Sequence, residues 1–415
     1  MADKLALLGG SPVRERPFTR WPIFGERDEA RVLAALRTGK WGRLDGNEVS
    51  CFEERFARMH GCQHGIAMVN GTVSLRLGLM AAGLQAGSEV IVPPYTFFST
   101  ASAVIEANMV PVFADVELGT FNLDPRAVEA AITPRTRAII PVHFAGQPAD
   151  MDPIMATAER HKLLVIEDAA HAHGASYKNR PAGSLGRMAS FSFQSSKNLT
   201  SGEGGILTTN DAELAAACRS LHNCGRIPSG VWYEHHVISG NYRLGELQGA
   251  LLNAQLDRLE EQTKTRDANG RTLRERLAKL PGIYPQERPE YSTRHAYHLF
   301  MLRIVGEEFG APRAALIEAL RAEGIPSSPG YGFSLHQQPM FVNRAFGPYL
   351  PDIAEKLDYS QVHCPNSDLL CREQAVWLEQ SMLLGPREDM DDIARAFEKV
   401  YAGRVALAQR ARTSK

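Results

Sequence analysis

Cysteine is scarce. The six residues Cys51, Cys62, Cys218, Cys224, Cys364 and Cys371 form no CxxC pair and no zinc-like spacing. A chain of 415 residues has no need of a disulfide framework, so buried thiols in a reducing cytoplasm are expected. Long apolar runs are also missing. Nothing approaches the ~20 consecutive apolar residues of a membrane span, and the run between Met1 and Gly10 is too short for a signal peptide. Charge of one sign is not in excess. Lys and Arg number 46 and Asp and Glu 47, leaving a net charge of −1 and no global field for nucleic acid or an anionic membrane. There is no repeat or low-complexity tract. Only the tail after Tyr401, with Arg404, Arg410, Arg412 and Lys415, reads as frayed. What remains is 44% hydrophobic and 22% charged, an ordinary globular composition with ample core, and the length suggests two or three domains.

Residues 1–25 read as an irregular arm carrying Pro12, Pro17 and Pro22, followed by helices over 26–38 and 47–60. The glycine-rich stretch 39–46 between them is either a loop over a pocket or a plain connection. From His64 strands alternate with helices. Strands are expected at 65–69, 89–92, 110–113, 138–142, 163–166, 188–193 and 205–208, with helices at 72–82, up to 108, 125–132, 152–161 and 211–221. This alternation implies an α/β fold with a doubly wound, mostly parallel sheet, whose ligands gather at the carboxyl ends of the strands. A helix without proline follows over 245–280, with Leu247, Leu251, Leu252, Gln255 and Leu259 on its apolar stripe. A smaller α/β segment comes next, with strands at 298–304 and 380–384, helices at 312–323 and 390–402, and a proline-rich loop over 326–351. The expected division is an arm over 1–25, a large domain over 26–270 and a small C-terminal domain over 271–415.

The chemistry-bearing positions sit at strand ends. Lys197 lies among Ser192, Ser195 and Ser196 and ahead of Gly202, Gly204 and Gly205. It reads either as a solvated loop cation or as a lysine held in a Schiff base with pyridoxal phosphate, the serines binding phosphate and the glycines allowing close backbone approach. Asn70-Gly71-Thr72 stands where a strand turns into a helix. That is a phosphate site by its free N–H groups and dipole, or an ordinary N-cap. Asp168 ends an apolar strand and can keep a pyridine nitrogen protonated or cap a helix. His171 and His173 at i, i+2 could ligate a metal, but no HExxH or CxxC supplies further ligands, so no metal is expected. Tyr95, after Pro93-Pro94, could stack on a flat heterocycle or pack as a buried loop aromatic. His143 stands at another strand tip, at the site edge or as a structural histidine.

Taken together, Leu7-Leu8-Gly9-Gly10-Ser11-Pro12, Asn70-Gly71-Thr72, Pro94-Tyr95-Thr96-Phe97, Glu167-Asp168-Ala169-Ala170-His171, Ser192-Phe193 with Lys197 and Gly202-Glu203-Gly204-Gly205, and Asn241-Tyr242-Arg243-Leu244 resemble the DegT/StrS family of PLP-dependent sugar aminotransferases, part of fold-type I. The resemblance runs from about Leu7 to Val400. It is strongest to the 3-amino-5-hydroxybenzoate synthase and inosose aminotransferase branches. Many members have glutamine where this chain has His171. The resemblance implies that Lys197 carries the cofactor and Asp168 pairs with its ring nitrogen. It implies that Tyr95 stacks on the ring, His171 stands near its oxygen, and Gly71, Thr72 and Ser192 bind its phosphate. Asn241 would reach the phosphate of a neighbouring subunit, making the unit a homodimer with shared sites. Arg226 and Arg243 are candidates for the donor carboxylate by their chemistry, and His336 for the substrate. The implied reaction is a ping-pong transfer from L-glutamine or L-glutamate to a ketone on a sugar or cyclitol. The competing readings are an aromatising 3-amino-5-hydroxybenzoate synthase, a keto-sugar dehydratase, which the retained Lys197 opposes, and a non-catalytic regulator.

Overall fold

The computed structural model describes residues 4–413. The first three residues of the stretch read against a signal peptide, and Lys415 of the tail, lie outside the described residues. Helices α1 (Glu26–Arg37) and α2 (Glu48–Met59) precede the sheet. Strand and helix then alternate through β1 (His64–Met68), α3 (Gly71–Ala81), β2 (Glu89–Val92), α4 (Ser99–Glu106), β3 (Val110–Phe113), α5 (Pro125–Ala130), β4 (Thr136–Ile139), α6 (Met151–His161) and β5 (Leu164–Asp168). A small hairpin follows, β6 (Ser176–Tyr177) and β7 (Arg180–Pro181), then β8 (Met188–Ser192), β9 (Gly205–Thr209) and α7 (Ala212–His222).

Seven of these strands form one sheet in the order β1-β9-β8-β5-β4-β2-β3. Only β9 runs against its neighbours; the pairings among β8, β5, β4, β2 and β3 are parallel. Val90, Ile91, Val92, Ile139 and Ile166 are fully buried, as a parallel sheet covered by helices on both faces requires. The expected mostly parallel, doubly wound sheet is therefore present, and its carboxyl edge gathers the ends of β1, β2, β5 and β8.

The long helix α8 (Glu246–Leu277) contacts two cores. Leu252, Leu256 and Leu259 pack with α2 and β8. Leu273 and Leu277 pack with the C-terminal strands and helices. Those strands are β10 (Ile283–Pro285), β11 (Ser292–Arg294), β12 (Leu299–Ile304) and β13 (Ala375–Glu379). β10, β12 and β13 make an antiparallel sheet, and β11 joins the β6–β7 hairpin.

Two expectations need correction. The last strand is not at 380–384. β13 ends at Glu379, opposite Leu299, where β12 begins. The ladder stops there, because the chain before Leu299 turns away at Tyr297 with φ +46°, and Gln380–Leu384 coils into a 3-10 turn. The tail is not frayed either. Arg404–Thr413 is helical, and Leu407 is 1% exposed in the C-terminal core. One buried leucine, with Ala408 and Ala411 beside it, docks an otherwise arginine-rich segment.

Candidate functional site

A cleft of about 1380 Å³ opens at the carboxyl edge of the large sheet and is walled on its far side by β12, β13 and the turn after it. Lys197 enters it from the connection between β8 and β9. The tight turn Gln194–Lys197 is closed by the Lys197 N–H donating to the Gln194 carbonyl at 2.9 Å. The Gln194 side-chain oxygen accepts the Ser196 N–H at 2.9 Å and its hydroxyl at 2.8 Å. Gly202 takes φ +83° where the chain doubles back. The lysine is thus held by its own loop. Its ammonium group has no hydrogen-bond partner among the described residues. Burial lowers its pKa to about 8, opposed by the negative charge of Asp168.

Asp168 ends β5 and is 6% exposed. Its Oδ2 accepts the Thr100 hydroxyl at 2.7 Å and its Oδ1 the Ala170 N–H at 3.2 Å. Burial raises its pKa, and the Thr100 and Ala170 bonds and the nearby Lys197 work against the rise. The preceding residue is structural. Glu167 accepts the N–H groups of Gly183, Leu185 and Gly186 and bonds His143 Nε2 at 2.8 Å. Because His143 Nδ1 accepts the Ala149 N–H at 3.0 Å, its proton sits on Nε2 and goes to Glu167. His143 is fully buried in this role and does not reach the cleft.

At the other end of the cleft, α3 starts at Gly71. Asn70 caps it by accepting the Val73 N–H at 2.9 Å, which leaves the Gly71 and Thr72 N–H groups outside the helical ladder. The Thr72 hydroxyl donates to Ser99 Oγ at 2.7 Å. A Cβ at Gly71 would come within 2.9 Å of the Ser192 Cβ, so only glycine lets these two segments close up. The same turn therefore caps the helix and leaves its first N–H groups open beside Ser192.

His171 lines the cleft with its Nδ1 accepting the Ala145 N–H at 3.3 Å. Burial, then the positive charge of Lys197, keeps it neutral, so its proton is on Nε2, which has no hydrogen-bond partner among the described residues. His298, just before β12, has its ring centre 4.2 Å away, tilted by 33°. Its Nδ1 donates to Asn198 Oδ1 at 3.3 Å. That amide is itself oriented by Nδ2 donating to the Ala296 carbonyl. His298 therefore carries its lone pair on Nε2, and burial holds it neutral too. His171 offers a donor and His298 an acceptor. Among the described residues no cluster of His, Cys, Asp or Glu has the makings of a metal site, and no helix is long and apolar enough to cross a membrane.

Lys197, Asp168, His171, Gly71, Thr72 and Ser192 thus share one cleft. Other expected residues stand elsewhere. Tyr95 is fully buried among Phe121, Phe144 and Tyr331, and its oxygen accepts the Trp377 indole N–H at 3.0 Å. Phe97, 55% exposed, lines the cleft instead, as do Trp21, Tyr331 and Trp377. His336 is buried 3.5 Å from Asp368 and away from the cleft wall. Arg243 donates to Asn223 Oδ1, and Arg226 lies over Trp232. Asn241 is exposed, its backbone bridged to Asn223. Arg226 precedes, and Asn241 and Arg243 follow, an exposed stretch in which Val231, Trp232, Tyr233 and Ile238 are 70%, 75%, 72% and 96% exposed. Besides Phe97, sequence reasoning missed Thr100, His298, Gln380 and Trp21, whose indole donates to the Ser195 carbonyl at 2.9 Å. Thr100 lies one helical turn from Thr96 and could have been flagged by that spacing. Gln380, misassigned to a strand, carried no such signal.

The chain is similar to known proteins over most of its length. The model of the DegT/DnrJ/EryC1/StrS aminotransferase family matches residues 22–379. A putative L-glutamine:3-amino-2,3-dideoxy-scyllo-inosose aminotransferase of Streptoalloteichus tenebrarius is 40% identical over 410 residues, covering 96% of this chain and 98% of that protein. The 3-amino-5-hydroxybenzoate synthase of Amycolatopsis mediterranei is 36% identical over 395 residues, covering 94% and 98%. A crystal structure of 3-amino-5-hydroxybenzoic acid synthase superposes with a TM-score of 0.85 at 35% identity, covering 95% of this chain and 100% of that one.

Proposed function

The chain belongs to the DegT/DnrJ/EryC1/StrS aminotransferase family, and from that premise we propose that it is a PLP-dependent transaminase that moves an amino group from L-glutamine or L-glutamate to a ketone on a sugar or cyclitol. The observation that carries this reading is the half-buried, unpartnered Lys197 facing the buried Asp168 across a cleft whose other end is the Gly71–Ser192 cradle. The residues fit the cofactor. A lysine free of any ion pair, a carboxylate and an anion cradle closed too tightly for a Cβ are what a phosphorylated pyridine aldehyde needs.

When bound, PLP supplies a carbonyl carbon for amines and a ring that withdraws electrons from an adjacent carbon. Lys197 holds the cofactor by its amine. Its neutral amine would also serve as the base that lifts and returns a proton at the donor's alpha carbon. Asp168 would keep a proton on the ring nitrogen, His171 would offer its Nε2 proton to the ring oxygen, and the N–H groups at the start of α3 with Ser192 would hold the phosphate. Phe97 is the ring-stacking aromatic in place of Tyr95. Nitrogen and carbonyl oxygen exchange between donor and acceptor. The exposed apolar stretch 226–238 and the outlying Asn241 support a homodimer in which each subunit's arm completes the other's site. The 3-amino-5-hydroxybenzoate synthase reading, supported by the 36% identity to that enzyme, differs by yielding an aromatic product.

The first test is the absorbance spectrum of the purified holoprotein before and after L-glutamine, without ketone. Bleaching of the visible cofactor band, restored by a sugar or cyclitol ketone, supports the reading. A band indifferent to both glutamine and glutamate sinks it. Capture of added PLP by the apoprotein should rise with pH by about tenfold per unit below pH 8, following the neutral fraction of Lys197, and level off above it. The sign follows from burial: the lowered pKa leaves the lysine charged and unreactive only on the acid side. Phe97→Ala should weaken PLP affinity by about tenfold, the worth of one aromatic stacking contact. Tyr95→Phe should leave affinity unchanged and lower only thermal stability, through the lost Trp377 bond. Equilibrium titration of apoprotein with PLP separates the two.

A further inference from the structure

A buried guanidinium without an anion stands behind the cleft wall. Arg266, on α8, is fully buried. Neither its Nη1 nor its Nη2 has a hydrogen-bond partner among the described residues. Its pKa is pushed down to about 9 by burial, with no carboxylate offsetting it. Its Cζ lies 5.4 Å from the centre of the Trp21 ring. An unpaired charge in such a place is costly and calls for a functional reason.

Among the described residues Arg266 makes one side-chain hydrogen bond, and it fixes its neighbour. Nε donates to Gln380 Oε1 at 2.8 Å. An arginine Nε–H can only donate, so the amide oxygen of Gln380 must face it. The Gln380 nitrogen, with two N–H donors, is thereby turned the other way. Gln380 is 4% exposed, lines the cleft, and its nitrogen donates to nothing among the described residues. Trp21, His298 and Ser381 line the same cleft, and Glu379 lies at its exposed rim. The cleft therefore has a donor pair polarised by a buried cation behind it.

We propose that Gln380, oriented by Arg266, clamps the α-carboxylate of the amino donor. The inference rests on the aminotransferase reading. Two substrates use this cleft in turn. The cofactor's phosphate has its own cradle at the start of α3, so the α-carboxylate is the anion common to both proposed donors, whereas a sugar or cyclitol ring is uncharged. A bare arginine in the wall would face that neutral ring as a desolvated charge. An amide in front of the arginine serves both halves, binding the carboxylate with cationic support and meeting hydroxyls as a neutral donor. Arg226 and Arg243, the arginines chosen from sequence, are engaged with Trp232 and Asn223 instead. Gln380 is the substrate contact and Arg266 the positioning residue.

The test is Gln380→Glu, which keeps the shape and gives Arg266 a partner but replaces the two donors by a carboxylate. The donor half-reaction of the holoprotein is followed spectrally with L-glutamine and with L-glutaminamide, which lacks the α-carboxylate. The Kd for L-glutamine should rise by about tenfold or more, as for a lost hydrogen bond to a charged group, with little change in limiting rate. For the amide the substitution should change nothing. Gln380→Met should act in the same direction, and Arg266→Lys, which frees the glutamine to turn, should fall between. Equal losses for both donors, or an unmoved donor Kd with only the ketone KM raised, overturn the clamp while the transaminase reading stands. A wild type inert to both glutamine and glutamate overturns the two together.

Discussion

Lys197→Ala should give a folded protein with transamination reduced by at least about 10⁴-fold, the upper end of what one general acid–base group contributes. The loss has two sources. The amine that holds the cofactor is gone, and so is the base that moves the proton at the donor carbon. The fold should survive because the side chain contributes nothing to it. Its ammonium group is unpartnered, and the turn that presents it is closed by backbone and by Gln194. Removing a buried amine that burial already destabilises as a cation should even raise the melting temperature slightly in the apoprotein. Steady-state turnover and a thermal melt on the same preparation check both halves. Appreciable transamination by a well-folded Lys197→Ala protein would remove Lys197 from its role. Loss of the fold would mean that the loop depends on the lysine in a way the hydrogen bonds do not reveal.

What could be read from the sequence divides along a physical line. Lys197, Asp168, Gly71, Thr72 and Ser192 were legible because each sits at the end of a strand or the start of a helix, and local pattern marks those points. The mostly parallel sheet was legible for the same reason. Tyr95 and Phe97 show the limit. They flank Thr96, and both are aromatic. Which of them faces the cleft is decided by Trp377, 282 residues away, whose indole takes the Tyr95 hydroxyl into a buried cluster. His298 acquires its acceptor nitrogen from Asn198, and Gln380 its donor face from Arg266, again across the chain. The strand misplaced onto 380–384 failed because pairing, not propensity, ends β13: Glu379 already lies opposite the first residue of β12. The tail helix was hidden by its arginines, since one leucine at 407 carries most of its burial.

Asp168→Asn should lower the rate of the donor half-reaction by about 10²–10³-fold, the scale of losing one preorganised electrostatic contact to a group that changes charge in the transition state. The substitution suits the site sterically. Thr100 now donates to Oδ2 and the Ala170 N–H to Oδ1. In the variant the asparagine oxygen can keep the Ala170 N–H, while its NH₂ donates to the Thr100 hydroxyl. That hydroxyl can accept and redirect its own proton to Thr96, 3.1 Å away. No buried group need lose its partner, so stability and cofactor content should change little. What does change is the charge. A carboxylate facing the ring nitrogen stabilises a proton there, whereas a neutral amide does not, and the ring loses its capacity to draw electrons from the donor carbon. The deficit should appear in the limiting rate rather than in donor affinity, because the α-carboxylate is bound elsewhere in the cleft. Rapid mixing of the holoprotein with L-glutamine, read at the visible cofactor band, resolves the two. A variant with normal spectrum, normal melting temperature and unchanged rate would take Asp168 out of the chemistry and leave it as a strand-end acceptor for Thr100. A loss confined to affinity would instead place its charge near the donor and not at the ring nitrogen.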